Sequence, residues 1–350
     1  MKKNPLVSVL VPNYNYGRYL QECFESLLNQ TYKNFEVVFR DNQSTDNSYE
    51  IALEYQKKFK ERGIYCSVSQ NKRNLGSNTN SDLCRNDSEG DLMYFMGSDD
   101  VIKPQFIEKC VRVFEQYPSV GFVMTHREEI DDDGNVTLEP PFYNCDCIIP
   151  GEAQASVFMM AGIAIPSQRM VRRGQLIEMS KYGQNMQVAG DWFNNFLYAC
   201  SCDVAYIKEA LCQYRVHKGN ETNESELNLL GIIEHIHLVN TFADIAEKIG
   251  YTKPQQRLPE AMDKLASMCM RYALKMIKCN RYDVAEKYLT MSTVIEPNMK
   301  ETEIYLSLKQ LLYIDDKEQV RFEIQKLEME KFAKRTTSYN PPEGYLEVKL

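Results

Sequence analysis

Leu6-Val7-Ser8-Val9-Leu10-Val11-Pro12-Asn13-Tyr14-Asn15, residues 6–15, is a short β-branched run that stops abruptly at polar residues. It is too short to cross a membrane and no small-residue cleavage site follows it. It therefore reads as a buried strand and not as a signal peptide. Apolar residues at helical spacing come next: Leu20, Phe24, Leu27 and Leu28. The strand-helix pair then recurs. Strands are predicted over 35–39, 64–68, 91–96 and 120–125, and helices over 19–28, 48–59, 78–85 and 104–114, the last with proline at its start. Such alternation implies parallel strands joined by crossover helices, an α/β fold with a mostly parallel sheet flanked by helices. Ligands in sheets of this kind sit outside the carboxyl ends of the strands.

Those ends are polar. The first strand ends in Pro12-Asn13-Tyr14-Asn15, the second in Asp41-Asn42-Gln43-Ser44-Thr45-Asp46, and the fourth in Gly97-Ser98-Asp99-Asp100. One crevice should gather an aromatic ring, an acid and an acid pair. Two adjacent acids behind a buried strand are costly unless something neutralises them. A divalent cation with hard oxygen ligands, magnesium or manganese, would do so, and such ions usually arrive with phosphates. The competing reading is a capped turn before the helix at Pro104. Asp41 has the placement to accept an N–H from a base, with Ser44 to Asp46 as turn and N-cap. Tyr14 can lay its ring on a base, or pack at the surface. Gly76 in Asn74-Leu75-Gly76 permits close backbone approach. Arg85 can face phosphate, or pair with Asp82 or Glu89.

Composition narrows the partners. The 350 residues are 43% hydrophobic and 26% charged, ordinary for a globular chain, and the length suggests roughly two domains. With 41 Lys and Arg against 49 Asp and Glu, the net charge of −8 disfavours nucleic acid as a partner of the whole chain. The 11 cysteines are odd in number and irregularly spaced, which argues against a disulfide framework and for the cytoplasm. Peripheral attachment at the inner face of a membrane stays open.

In order, the motifs Val9 to Asn15, Asp41 to Asp46, Asn74-Leu75-Gly76, Arg85-Asn86, Gly97 to Asp100, Gly190-Asp191-Trp192 and Tyr214-Arg215-Val216-His217 resemble those of the family 2 glycosyltransferases of the GT-A fold. The resemblance covers about the first 220 residues. It implies a Rossmann-like GT-A domain over 1–222, with a nucleotide-sugar half over 1–126 and an acceptor half over 127–222. It also implies inverting transfer of a sugar from a nucleoside diphosphate donor, UDP as the best guess. The implied donor set is Pro12, Tyr14, Asn15, Asp41, Ser44, Asn74, Arg85, Ser98, Asp99 and Arg215. Asp99 would meet the ribose. Asp99 and Asp100, with His217, would hold manganese or magnesium. Asp191 aligns with the catalytic base. Two departures stand out: glycine at position 97, where the family often carries an acid, and Gly190 in place of a glutamate before the base.

The chemistry is self-consistent. An acceptor hydroxyl attacks the sugar carbon opposite the diphosphate, a carboxylate removes its proton, and cations stabilise the departing diphosphate. Asp191 has an N-cap as its alternative role. Trp192, the only tryptophan, would stack on an acceptor sugar or pack in the core. The acceptor is a carbohydrate, a lipid-linked sugar or a protein, and the donor sugar should depend on the loop from Ile163 to Arg173. From Leu227 the chain reads as helical. A boundary over Asn220–Glu226 leaves an all-helical region over 223–338. There Tyr282, Ala285, Ser292 and Pro297 suit one tetratricopeptide-like helix, and residues 339–350 form an extended or loosely held tail. The helical region would support a homodimer or hold an acceptor-bearing partner. Two other readings are a nucleotidyltransferase, which would need a glycine- and lysine-rich phosphate loop that Pro12 to Arg18 lacks, and a non-catalytic nucleotide-binding module.

Overall fold

The computed structural model describes residues 3–175, 186–217, 222–332 and 336–350. Its first part runs β1 (Val7–Asn13), α1 (Gly17–Leu28), β2 (Phe35–Asp41), α2 (Ser48–Glu61), β3 (Tyr65–Gln70), α3 (Ser77–Asn86), β4 (Leu92–Phe95), β5 (Val101–Ile102), α4 (Phe106–Gln116) and β6 (Val120–Ile130). Then follow β7 (Val136–Thr137), β8 (Cys147–Ile149), α5 (Gly151–Phe158), β9 (Arg169–Arg172), α6 (Gly190–Ala199) and β10 (Asp203–Arg215). The rest is α7 (Thr222–Leu227), α8 (Leu230–Ile249), α9 (Thr252–Gln256), α10 (Leu258–Lys278), α11 (Tyr282–Ile295), α12 (Glu303–Leu311), α13 (Lys317–Lys331) and a last strand, β11 (Leu346–Glu347). Of the expected boundary, residues 220 and 221 lie outside the described residues.

Strands β3-β2-β1-β4 are parallel neighbours, as crossover helices require. Val7, Val9, Leu10 and Val11 of β1 are fully buried because helices cover both faces, which is why this strand reads as a continuous apolar run. Beyond β4 the sheet is mixed. β9 inserts antiparallel between β4 and β6, and β10 lies parallel to β6. β6 extends to Ile130, five residues past the expected end. It turns back into β7 through Asp131–Asn135, where Gly134 takes a φ of +81° and the Asp131 carboxylate accepts the Asp133 and Asn135 N–H groups.

The helical region shares its core with α5, α6 and the β6–β10 side of the sheet. Phe242 of α8 stacks on Phe196 of α6 with ring centroids 3.9 Å apart and planes 10° from parallel. One buried cluster runs from Phe122 and Phe158 through Phe196 and Phe242 to Leu265 and Tyr288. In the α10–α11 hairpin, Ala285 and Ser292 are fully buried. The end of the chain is extended and tied to the sheet. Tyr339 exchanges backbone bonds with Phe142 and Asn144, and β11 pairs antiparallel with β8. The 11 cysteines are free thiols. Among the described residues no helix is long and apolar enough to cross a membrane.

Because the core is continuous, Phe242→Ala should cost about 3–5 kcal/mol and still leave one cooperative unfolding transition. Denaturation followed by circular dichroism and by Trp192 fluorescence checks this. Two separated transitions would show that the helical region is independent.

Candidate functional site

The base of the crevice is built where β1, β2 and β3 end in register, Asn13 beside Asp41 beside Gln70. Asp41 is fully buried, and its carboxylate accepts from Asn13 Nδ2 (3.0 Å), Gln70 Nε2 (3.0 Å), and the Ser44 N–H (2.8 Å) and hydroxyl (2.5 Å). Asn13 Oδ1 is buried with no hydrogen-bond partner. Asn15, with a φ of +58°, binds the β2 turn through both its backbone and its side chain. Its N–H donates to Ser44 Oγ and its side-chain oxygen accepts from the Thr45 N–H. Asn42 reaches the next loop, donating to Asn74 Oδ1 at 2.8 Å, and Asn74 also accepts the Gly76 N–H. Tyr14, next to Asn13 at the end of β1, is 43% exposed. Pro12 is half-buried in β1 and Ser98 is buried in the β4 turn.

The acid pair does not cap a helix. The next helix, α4, starts at Phe106, beyond β5. Instead Asp100 accepts the Arg215 N–H at 2.9 Å and the Ser167 hydroxyl, and Ser167 Oγ accepts the Gly97 N–H at 2.9 Å. The His217 ring nitrogen Nε2 lies 3.2 Å from Asp99 Oδ2, its ring stacked on Tyr19 and edge-on to Tyr16. A Cβ at Gly97 would fall 2.7 Å from Asp100 Oδ2 and 2.9 Å from Asp99 Oδ1. Glycine there leaves room for the two carboxylates to turn back on the strand end. An acid at 97 has no space in this packing. Burial, and then the charge of Asp99, push the Asp100 carboxyl up to about 7, and burial raises Asp99 as well.

Two expected donor contacts are committed elsewhere. The buried Arg215 guanidinium donates to the Asp99 and Asp131 carbonyls and to Glu22, and stacks over Tyr19, so it braces the acid pair from behind. Arg85 pairs with Asp82 at 2.8 Å on the exposed face of α3.

Asp191 lies in the first turn of α6, one residue past the position next to the cap, and its side chain makes no capping bond. Arg169 of β9 holds it. One guanidinium nitrogen donates to the Asp191 carbonyl (3.0 Å) and to Asn195, and the other lies 3.5 Å from the Asp191 carboxylate. The carboxylate keeps 53% of its side-chain surface exposed. The protein around it raises its pKa and Arg169 partly offsets that. Ser167, which touches Asp100, and Arg169, which touches Asp191, are two residues apart, so this segment joins the two groups of acids. Neither was a sequence candidate: a serine in a short 3-10 turn and an arginine opening a short strand carry no local signal. Trp192 does not present its face to the crevice. Its indole N–H donates to the Phe158 carbonyl at 2.6 Å, and its ring packs on Gly162, His235 and Phe242. At Gly190 a Cβ would meet nothing within 4 Å, so nothing in the structure explains glycine there.

A carboxyl raised from 3.8 to about 7 holds a proton in the folded protein that the unfolded chain has released. Its stabilising contribution is complete below pH 3.8 and is lost as pH rises through about 7. The Asp100→Asn amide can accept the Arg215 N–H and donate to Ser167. In metal-free buffer this variant should therefore lose stability less steeply from pH 4 to 8, and exceed the wild type at pH 8 by about 2–4 kcal/mol. Urea melts at several pH values measure this. Equal slopes would mean that Asp100 is not the buried titrating acid.

Comparison with known proteins places the fold. The family described as Glycosyl transferase family 2 matches residues 8–174. An uncharacterized glycosyltransferase of Nostoc is 27% identical over 259 residues, 70% of this chain and 77% of that protein. The crystal structure of S. aureus TarS 1–349 in complex with UDP-GlcNAc superposes with a TM-score of 0.59 at 16% identity, covering 91% of this chain and 88% of that one. The mannosyltransferase PcManGT from Pyrobaculum calidifontis, in complex with GDP-Man and Mn2+, superposes with a TM-score of 0.51 at 13% identity, over 94% and 88% of the two chains. At these identities the superpositions speak for the fold. With this match, its strand-end motifs and its GT-A architecture, the chain carries a family 2 glycosyltransferase domain over residues 8–174.

Proposed function

We propose that this glycosyltransferase inverts the sugar it transfers, with Asp191 as general base and a divalent cation at Asp99 and Asp100. The observation that carries the reading is the Ser167-to-Arg169 segment, which holds Asp100 with one residue and Asp191 with another. Ser167 lies in the 3-10 turn Pro166–Gln168, and Arg169 opens β9 directly after it. The leaving-group end and the proton-accepting end of the reaction thus share one rigid support.

The donor set suits manganese or magnesium. Among the described residues no group of three or more His, Cys, Asp or Glu side chains forms a closed metal cluster. Two carboxylates side by side and out of water match a cation bound by one or two protein carboxylates and completed by substrate phosphates. Asp99 and Asp100 would hold the ion, with His217 bracing Asp99. When bound, the ion supplies positive charge beside the donor diphosphate. At the other end of the donor, the unpaired Asn13 oxygen would accept an N–H of the base beside Tyr14, and Asp41 would do so by giving up one of its four present bonds. UDP is the favoured nucleotide, and the neighbour with the higher TM-score, TarS, carries UDP-GlcNAc. The sugar is then a hexose or an N-acetylhexosamine.

Asp191 takes the proton of the acceptor hydroxyl as that oxygen bonds to the sugar carbon and the carbon–diphosphate bond breaks. A carboxylate with a raised pKa is the stronger proton acceptor, and Arg169 fixes its direction. The acceptor is a carbohydrate, a lipid-linked sugar or a protein, in surface polysaccharide, lipid-linked oligosaccharide or glycoprotein synthesis at the cytoplasmic side. The family 2 match over residues 8–174 favours sugar transfer over the nucleotidyltransferase reading.

Thermal shifts with UDP, GDP, CMP and dTDP, with and without manganese, test the donor end. UDP should raise the melting temperature only with manganese, and not in Asp100→Ala. Asp191→Asn should keep that shift and lose about 10²–10⁴-fold in transfer from UDP-sugars. A metal-independent UDP shift removes the metal assignment, and normal turnover in Asp191→Asn removes the base.

A further inference from the structure

The helix that carries Asp191 has no capping side chain of its own. The turn that leads into it is held from the helical region. Glu234, on α8 and 8% exposed, accepts the Gln187 N–H at 2.7 Å on one oxygen, and the Val188 and Ala189 N–H groups at 2.7 and 2.9 Å on the other. These N–H groups belong to the turn that leads into α6, ahead of the first N–H groups of the helix itself, and a carboxylate is favoured at that end. Three charge-assisted bonds to consecutive N–H groups fix the entry of the chain two residues before Asp191.

The surroundings serve the same contact. His235, next in α8, lies edge-on to Trp192 at 5.2 Å, and burial lowers its pKa to about 4, so it brings no charge to the seam at neutral pH. Trp192 is itself anchored through its N–H, and Phe242 closes the α6–α8 contact one stack further on. Asp191 is therefore clamped from two sides. Arg169 grips it from the sheet and Glu234 holds its approach from the helical region.

We infer that Glu234 is a positioning residue for sugar transfer, and that through it the helical region sets the geometry of Asp191 without touching the donor. This rests on Asp191 being the general base. The kinetic consequence is a change in kcat with donor binding preserved, because the Asp99–Asp100 end is braced by Ser167, Arg215 and His217.

The test compares Glu234→Gln, Glu234→Ala and Asp191→Asn in the full chain. Hydrogen exchange of the peptide covering 186–196 and acrylamide quenching of Trp192 report the seam directly. The UDP–manganese thermal shift reports the donor end, and UDP release from UDP-sugars gives kcat and donor KM. Glu234→Ala should lose protection over 187–192 and expose Trp192, while keeping the nucleotide shift. Its kcat should fall by about 10²-fold and its donor KM stay within about twofold, with Glu234→Gln intermediate because it keeps one accepting oxygen. Unchanged protection of 187–192 in Glu234→Ala overturns the inference, as does unchanged kcat beside an inactive Asp191→Asn, which leaves the base assignment standing. Loss of the nucleotide shift in Glu234→Ala also overturns it, since the effect would then be general unfolding. Full turnover in Asp191→Asn overturns the base and the inference together.

Discussion

Two carboxylates on consecutive residues, Asp99 and Asp100, are kept out of water at the end of β4. Placing two negative charges there is expensive, and much of the neighbouring architecture answers that cost. Gly97 gives up its side chain so that both acids can fold back, and Ser167 relays a strand N–H to Asp100. Arg215 contributes its backbone N–H to Asp100 and its guanidinium to the Asp99 carbonyl, and His217 meets Asp99 from the Tyr19 stack. What these contacts leave uncompensated raises both carboxyls, and a bound cation would meet that remaining charge.

The same support reaches across to Asp191. Because β9 inserts antiparallel between β4 and β6, the segment entering it passes the acid pair first and the α6 helix next. The helical region completes the other wall through Glu234 and the Phe196–Phe242 stack. It is continuous with α5, α6 and the β6–β10 side of the sheet in packing and with the turn before α6 in hydrogen bonding, so the chain divides less sharply than its change of composition near residue 222 suggests.

What could be read from the sequence followed local periodicity. Val7 to Val11 announce a strand buried on both faces, and the polar ends at Asn13, Asp41 and Asp99-Asp100 mark one edge because parallel strands put their carboxyl ends together. What could not be read depends on partners far apart in the chain. Arg215 looks like a phosphate ligand until Glu22 and Asp131, 193 and 84 residues away, are seen to occupy it. Trp192 looks like a sugar platform until Phe158 and His235 enclose it. Ser167, Arg169 and Glu234 belong to no recurring pattern, and their roles appear only when β9 and α8 are in place.

The most direct measurement is a manganese titration followed by electron paramagnetic resonance, in the absence and the presence of UDP. If Asp99 and Asp100 hold an ion completed by the diphosphate, manganese should bind weakly alone and tightly with UDP, and UDP should tighten by the same factor when manganese is present. Equal manganese affinity with and without UDP, or UDP binding unaffected by removal of the metal, would contradict the account.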